Sequence, residues 1–188
     1  RRVWGSEKAV DFTTYEGKAQ AAFIIQNGNH AKESMVACDR FYPLLDSDKT
    51  DDGMGDPAIV PQLFTAVTGQ NMDEKQYYLS GEKAMNLQRS IAMREGKRGR
   101  SDDILNEFHF TEPIEKEEGL IGLFNPDLEL PGSGDAIVSI KGRTLDRNEF
   151  ENMKNEYYQL RGWDVETGLQ KKETLKNLDL MFVCPELE

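Results

Sequence analysis

The chain has 188 residues, with 34 acidic against 23 basic side chains and a formal net charge of −11. A balance so acidic, without a concentrated basic patch, excludes nucleic acid and anionic membrane surfaces as partners, and no apolar run is long enough to cross a bilayer. The length admits one sizeable core or two small helical subdomains sharing an interface, and the two cysteines, Cys38 and Cys184, make neither a disulfide framework nor a zinc pattern, which points to a reducing cytoplasm.

Helical signals dominate in chain order. Residues 1–12 carry little pattern and read as an arm packing on something else. Thr13 with Glu16 reads as a capping box, Ala19, Ala22, Phe23 and Gln26 share one helical face, and Asn27-Gly28 reads as a left-handed stop. A second helix is expected from about His30, carrying Glu33 to Cys38 and breaking before Pro43. The run from Asp46 to Asp56 lacks the alternating acids and closing Glu of an EF-hand and reads as a solvated acidic loop.

Asp56-Pro57 then opens a helix with an apolar stripe of Ile59, Val60, Leu63, Phe64 and Val67, stopped by Gly69. Asn71 with Glu74 reads as a capping box for a long helix reaching Glu95. On it Tyr77, Gly81, Ala84, Met85, Ile91 and Ala92 fall on the buried face, Lys83, Asn86 and Ser90 lie opposite, and Gln88 is expected as a buried amide. The single basic cluster, Lys97 to Arg100, is followed by Asp102 and Asp103, and Ser101 opens a short helix to about Phe108.

From Phe110 the helical period is lost until Gly142, and the Ala136 to Ile140 run reads as a strand or an extended packing segment. A long irregular stretch inside a compact domain is functional or wraps a partner surface. Asp146 with Glu149 caps a helix carrying Phe150, Met153, Tyr157 and Leu160 and ending at Gly162, and a last helix follows from about Lys171 to Leu178. The expected fold is mainly α and multihelical, with a helical core over 13–109, an irregular excursion with a possible short β element over 110–145, and C-terminal helices over 146–188. No dinucleotide, phosphate-loop, nucleophile-elbow or zinc-protease motif occurs, so no self-contained active site is visible.

The stretch from Asn27 to Leu45 has the greatest density of ligand chemistry, with His30, Glu33, Asp39 and Arg40 close to Cys38. Taken alone, a thiol beside Met35, Val36 and Ala37 reads first as a small buried hydrophobe. A comparison on a larger scale alters that reading. The run from Phe150 to Leu180, with its aromatic pair, Gly162-Trp163, Thr167-Gly168 turn and last helix, resembles the closing segment of the tungsten-containing aldehyde ferredoxin oxidoreductase family. The run from Asn86 to Leu105 resembles the same family's long helix with its basic exit and acidic restart.

In that family a DxxGLC pattern lies against the pterin of the tungsten cofactor, and its cysteine is the last of four ligands to an iron–sulfur cluster. The matching residues here are Glu33 to Cys38, with Val36 and Ala37 standing where the family has Gly and Leu. The resemblance thus implies Cys38 as a ligand of a 4Fe–4S cluster and Glu33, Cys38 and Asp39 as cofactor-binding residues in the full-length protein. It further implies oxidation of aldehydes to carboxylic acids at tungstopterin with ferredoxin as acceptor, and an N-terminal pterin-binding part of the same protein as partner. A related enzyme, the tungsten subunit of class II benzoyl-CoA reductase, is the alternative, and a helical interaction module without redox chemistry is the competing class. Since the chain opens on Arg1 and contains no C-x-x-C-x-x-x-C motif, it is expected to be a piece of a longer polypeptide that alone binds neither cofactor and is inactive. Phe41, Tyr42, Leu44 and Leu45 read as candidates for lining a substrate channel suited to an apolar or aromatic aldehyde, or as ordinary core.

Overall fold

The structure is a computed structural model that describes residues 5–38, 48, 51, 53, 55–116 and 124–183. The helices among them are α1 (Lys18–Ser34), α2 (Ile59–Thr68), α3 (Glu74–Arg94), α4 (Phe108–Thr111), α5 (Arg147–Leu160) and α6 (Lys172–Asn177); strands β1 (Glu129–Pro131) and β2 (Ile137–Ser139) form a two-stranded antiparallel sheet. The protein is mainly α and multihelical, and its small β element lies in the irregular excursion. No helix among the described residues is long and apolar enough to cross a membrane. The chain divides into two compact units, one built from Arg1–Phe23 and Lys97–Lys171, the other from Ile24–Gly96 and Lys172–Glu188.

In the second unit α3 is the organising helix. Asp73 accepts from the Gln76 N–H at 2.7 Å and the Gln76 side chain accepts from the Asp73 N–H at 2.9 Å, so the capping box sits two residues later than Asn71 and Glu74. The shift has a local cause. The Met72 N–H donates to the Thr65 hydroxyl at 3.1 Å, which ties the segment before α3 back to α2 and delays the helix. Tyr77 and Gly81 are buried as expected, but so are Asn86, Arg89 and Ser90, so α3 is covered on more than one side. Asn86, not the exposed Gln88, is the buried amide, and its Nδ2 donates to the Glu82 carbonyl at 3.0 Å.

Ala31, Val60 and Tyr77 form one apolar cluster with Met35, Met72 and Tyr78 around it; Leu175, Leu178 and Leu180 form another with Leu87, Met181 and Val183. Gly69 stops α2 in the left-handed conformation as expected, its N–H returning to the Thr65 carbonyl. At the other end α2 begins at Ile59, later than Pro57, with the Asp56 carboxylate accepting from the Ala58 N–H at 2.9 Å. Most of the acidic loop before it lies outside the described residues.

In the first unit Thr13 does not cap a helix. Its N–H and hydroxyl both donate to the Asp11 carboxylate, at 2.8 and 2.5 Å, and the Glu16 N–H goes to Thr14. The chain then turns at Gly17, and α1 starts at Lys18. The Lys18 ammonium donates to the carbonyls of Lys8, Ala9 and Asp11 at 2.8, 2.9 and 2.6 Å, locking the N-terminal segment onto the helix start. Ser101 to Phe108 is not one helix: residues 99–102 make a 3-10 turn and α4 is a single later turn.

The strands pair Glu129 with Ser139, Leu130 with Val138 and Pro131 with Ile137. Asn125 pins the hairpin, accepting from the Glu129 N–H and donating to the Glu129 carbonyl. Asp146 caps α5, accepting from the Glu149 N–H at 2.9 Å, as expected from the sequence. Trp163 is buried against Tyr157 and Tyr158 in tilted and edge contacts 5.8 Å between centroids.

Candidate functional site

The Cys38 stretch follows directly from the end of α1. Asn27-Gly28 does not stop this helix, which runs unbroken to Ser34. The helix is held here by its packing on α3. Gly28 lies beside the Tyr78 ring, its carbonyl accepts from the Tyr77 hydroxyl at 3.3 Å, and the neighbouring Asn27 carbonyl is seated against Gly81, where a side chain has no room. These contacts fix α1 on α3 and so fix where α1 ends.

The end itself is a Schellman motif. The Ala37 N–H donates to the Lys32 carbonyl at 3.1 Å and the Val36 N–H to the Glu33 carbonyl at 3.0 Å, with Val36 in the left-handed conformation at φ 57°. The same pair of bonds closes α5, where Gly162 has φ 65°, and α6, where Asp179 has φ 55°. Glycine is the usual residue at this position, because a β-branched side chain there is strained. Val36 occupies the place in the Glu33 to Cys38 run where the resembled pattern has Gly, and its backbone keeps the glycine-like turn.

Cys38 follows this turn as a free and exposed thiol, which overturns the reading as a small buried hydrophobe. Glu33 is exposed on the last turn of α1, and its carboxylate is engaged by no other described residue. Met35 packs against the cluster around Tyr77, so the apolar side of this stretch faces the core while Glu33 and Cys38 face outward. His30 stands on α1 one turn earlier, its carbonyl accepting from Ser34 at 2.7 Å. Asp39, Arg40, Phe41, Tyr42, Leu44, Leu45 and Cys184 lie outside the described residues. No group of three or more His, Cys, Asp or Glu side chains able to hold a metal ion occurs among the described residues.

Sequence reasoning missed a charged network in the first unit. Arg100 pairs with the Glu151 carboxylate and donates to Asn155 and to the Val165 carbonyl at 2.7 and 2.8 Å. The buried Lys154 ammonium donates to Glu151 at 2.8 Å and to the Asp103 carbonyl at 3.0 Å; the Asp103 carboxylate takes the buried Tyr158 hydroxyl at 2.5 Å and the Lys97 ammonium at 2.8 Å. Burial pushes the Glu151 carboxyl up, but the hydrogen bonds from Lys154 and Arg100 outweigh it and hold the group below the usual carboxylate range. Arg161 is fully buried, its guanidinium lying over the Phe23 and Tyr157 rings and donating to the Tyr157 hydroxyl at 2.9 Å. Each of these groups is matched within the protein, so the network holds α5 to the 97–103 turn and offers no reactive group.

The chain matches the family described as aldehyde ferredoxin oxidoreductase, domains 2 and 3, over residues 2–180. Among solved structures it is similar to a chain of the BamBC active-site complex of benzoyl coenzyme A reductase in complex with 1,5-dienoyl-CoA. That likeness has a TM-score of 0.57 and 19% sequence identity and covers 92% of this chain; at that identity it speaks to the fold alone. The chain spans about 20% of the chain it matches.

Proposed function

Because the chain belongs to the family of aldehyde ferredoxin oxidoreductase domains 2 and 3, we propose that it is the C-terminal helical part of a tungstopterin and iron–sulfur oxidoreductase that converts aldehydes to carboxylic acids. In the overall reaction an aldehyde and water give the acid with release of two protons and two electrons, and the electrons pass one at a time to ferredoxin. When bound, the tungstopterin supplies the two-electron chemistry and the cluster supplies the one-electron path.

One observation carries the reading: an exposed, unbonded Cys38 thiol placed two residues beyond the left-handed turn at Val36. A cluster ligand that completes a site shared with another part of the protein must be a thiolate reachable from outside its own domain, and the exposure of the Cys38 thiol supports that role. The described residues otherwise hold no cysteine and no complete metal-binding group. They therefore fit one ligand of a shared site, and the other three thiolates and the pterin cradle fall to the N-terminal pterin-binding part of the same protein. Glu33, at the outer edge of the same turn, has carboxylate oxygens available as acceptors for pterin N–H groups, and Asp39 is assigned with it from the sequence pattern. The localisation proposed is cytoplasmic, where thiols stay reduced.

The test is Cys38→Ser in the full-length protein. Iron content and the paramagnetic signal on reduction are expected to fall while the far-ultraviolet circular dichroism is retained; unchanged iron and signal would overturn the assignment. The fold likeness to a benzoyl coenzyme A reductase complex supports a second reading, ring reduction in a class II enzyme. Assaying the full-length protein with aldehydes and ferredoxin against benzoyl-CoA separates the two. A full-length protein without an upstream C-x-x-C-x-x-x-C motif leaves the non-catalytic helical module.

A further inference from the structure

The first unit contains a cleft of about 500 Å³, a size in the range of about 300–1,000 Å³ typical of small-molecule sites. Its walls are apolar. Phe12, Phe108, Ile114 and Leu145 line it while keeping between 37% and 51% of their surface exposed, and the half-buried Phe150 and Met153 of α5 line it as well. So many large side chains left open around one hollow depart from the scattered exposure usual on a protein surface.

Backbone pairing brings the polar groups to the same wall. The Leu145 N–H donates to the His109 carbonyl at 2.9 Å, the Ile114 N–H to the Arg143 carbonyl at 3.0 Å and the Gly142 N–H to the Ile114 carbonyl at 2.8 Å. The segments 109–114 and 142–145 therefore run side by side, and both His109 and Arg143 line the cleft. Neither side chain makes a hydrogen bond or ion pair with another described residue; the His109 ring stacks on Phe108 at 4.1 Å. Lys18 adds a second cation whose donors are already taken by carbonyls, and the one lining carboxylate is Glu112, which is exposed.

We propose that this cleft binds a small apolar or aromatic carboxylate, its ring or chain on the Phe108, Phe150 and Met153 surface and its carboxylate on the Arg143 guanidinium, with His109 as a further donor. An unengaged guanidinium beside an apolar hollow selects a planar anion over a neutral group, because its paired N–H donors match two carboxylate oxygens.

The full-length protein is titrated calorimetrically with 4-phenylbutyrate and with its neutral amide. Saturable binding of the acid at one per chain is expected, with the amide at least tenfold weaker. Arg143→Gln, a change at an exposed side chain, is expected to bring the acid to the level of the amide with thermal unfolding unaltered, and Phe108→Ala to weaken both. Absence of saturable binding, as when another part of the protein covers the cleft, overturns the proposal. So does equal affinity for acid and amide, or an Arg143→Gln protein that binds the acid as before.

Discussion

A Cβ on Gly81 would stand 1.8 Å from the carbonyl oxygen of Asn27, a separation no folded backbone tolerates. This contact, more than any apolar pair, sets the distance between α1 and α3. Gly81→Ala is expected to cost on the order of 3 kcal/mol or more, since helix backbone and not a pliant side chain must yield. Gly69→Ala is the comparison: it has open space and only the left-handed strain, about 1–2 kcal/mol. Urea denaturation of both variants checks the order, and a Gly81→Ala protein as stable as the parent would show that α1 and α3 can separate freely.

Val36 offers the opposite change. It holds a left-handed conformation with 93% of its surface exposed, so its side chain contributes strain and almost no burial. Val36→Gly is expected to raise stability by about 1 kcal/mol, the relief of strain exceeding the added flexibility of the unfolded chain. Gly162→Val, the same position of the equivalent motif on α5, should lower it. The two are compared by their thermal midpoints.

These two positions also show how far the sequence was legible. α2, α3 and α5 followed from apolar spacing and local caps, as at Gly69 and Asp146, whose signals lie within a few residues. The failures arose where one residue type has two uses. Gly28 read as a helix stop, but it sits inside α1, where its carbonyl takes the Tyr77 hydroxyl from a helix 49 residues further along the chain. Thr13 read as a cap, but the Asp11 carboxylate two residues before it takes both its donors. At the site the sequence reading put Glu33 to Cys38 together on one helix, whereas α1 ends at Ser34 and Cys38 lies exposed beyond a left-handed turn at Val36 that nothing in the pattern foretold. The Phe108 to Phe150 cleft was invisible because its walls come from separate stretches of the chain, 12–18, 105–114 and 140–153.

Tyr158→Phe probes the charged network. The hydroxyl is buried and donates to the Asp103 carboxylate at 2.5 Å. Removing it is expected to cost about 1.5–3 kcal/mol, the range for a hydrogen bond to a charged acceptor. Tyr15→Phe, which removes the acceptor of the exposed Asp146 N–H, should cost less. Denaturant midpoints at constant m decide between them.

The same network gives a pH dependence. The folded-state pKa of Glu151 is depressed, so its contribution to stability is fully present above the ordinary carboxylate range, about 4.3 for Glu, and is lost as pH falls through the depressed folded value. Stability measured from pH 7 downward should decline in that acidic window, and Glu151→Gln should flatten the decline. An identical acid profile in the variant would assign the loss to other carboxylates.

The 188-residue chain on its own is expected to carry neither iron nor tungsten after anaerobic purification, because its two cysteines, Cys38 and Cys184, fall short of the four ligands an iron–sulfur cluster requires. Metal analysis decides this. Stoichiometric tungsten would locate the pterin cradle in these residues.

Each compact unit takes chain from two separated stretches, and this orders events on the ribosome. Leu87 of α3 is synthesised long before Leu175, Leu178 and Leu180, the residues that complete its cluster, and the whole Lys97–Lys171 part of the other unit emerges in between. During translation the α3 surface around Leu87 therefore waits uncovered while its neighbour unit is made. Translation stalled within Lys97–Lys171 should leave that surface open to chaperone capture, and release past Leu180 should close it.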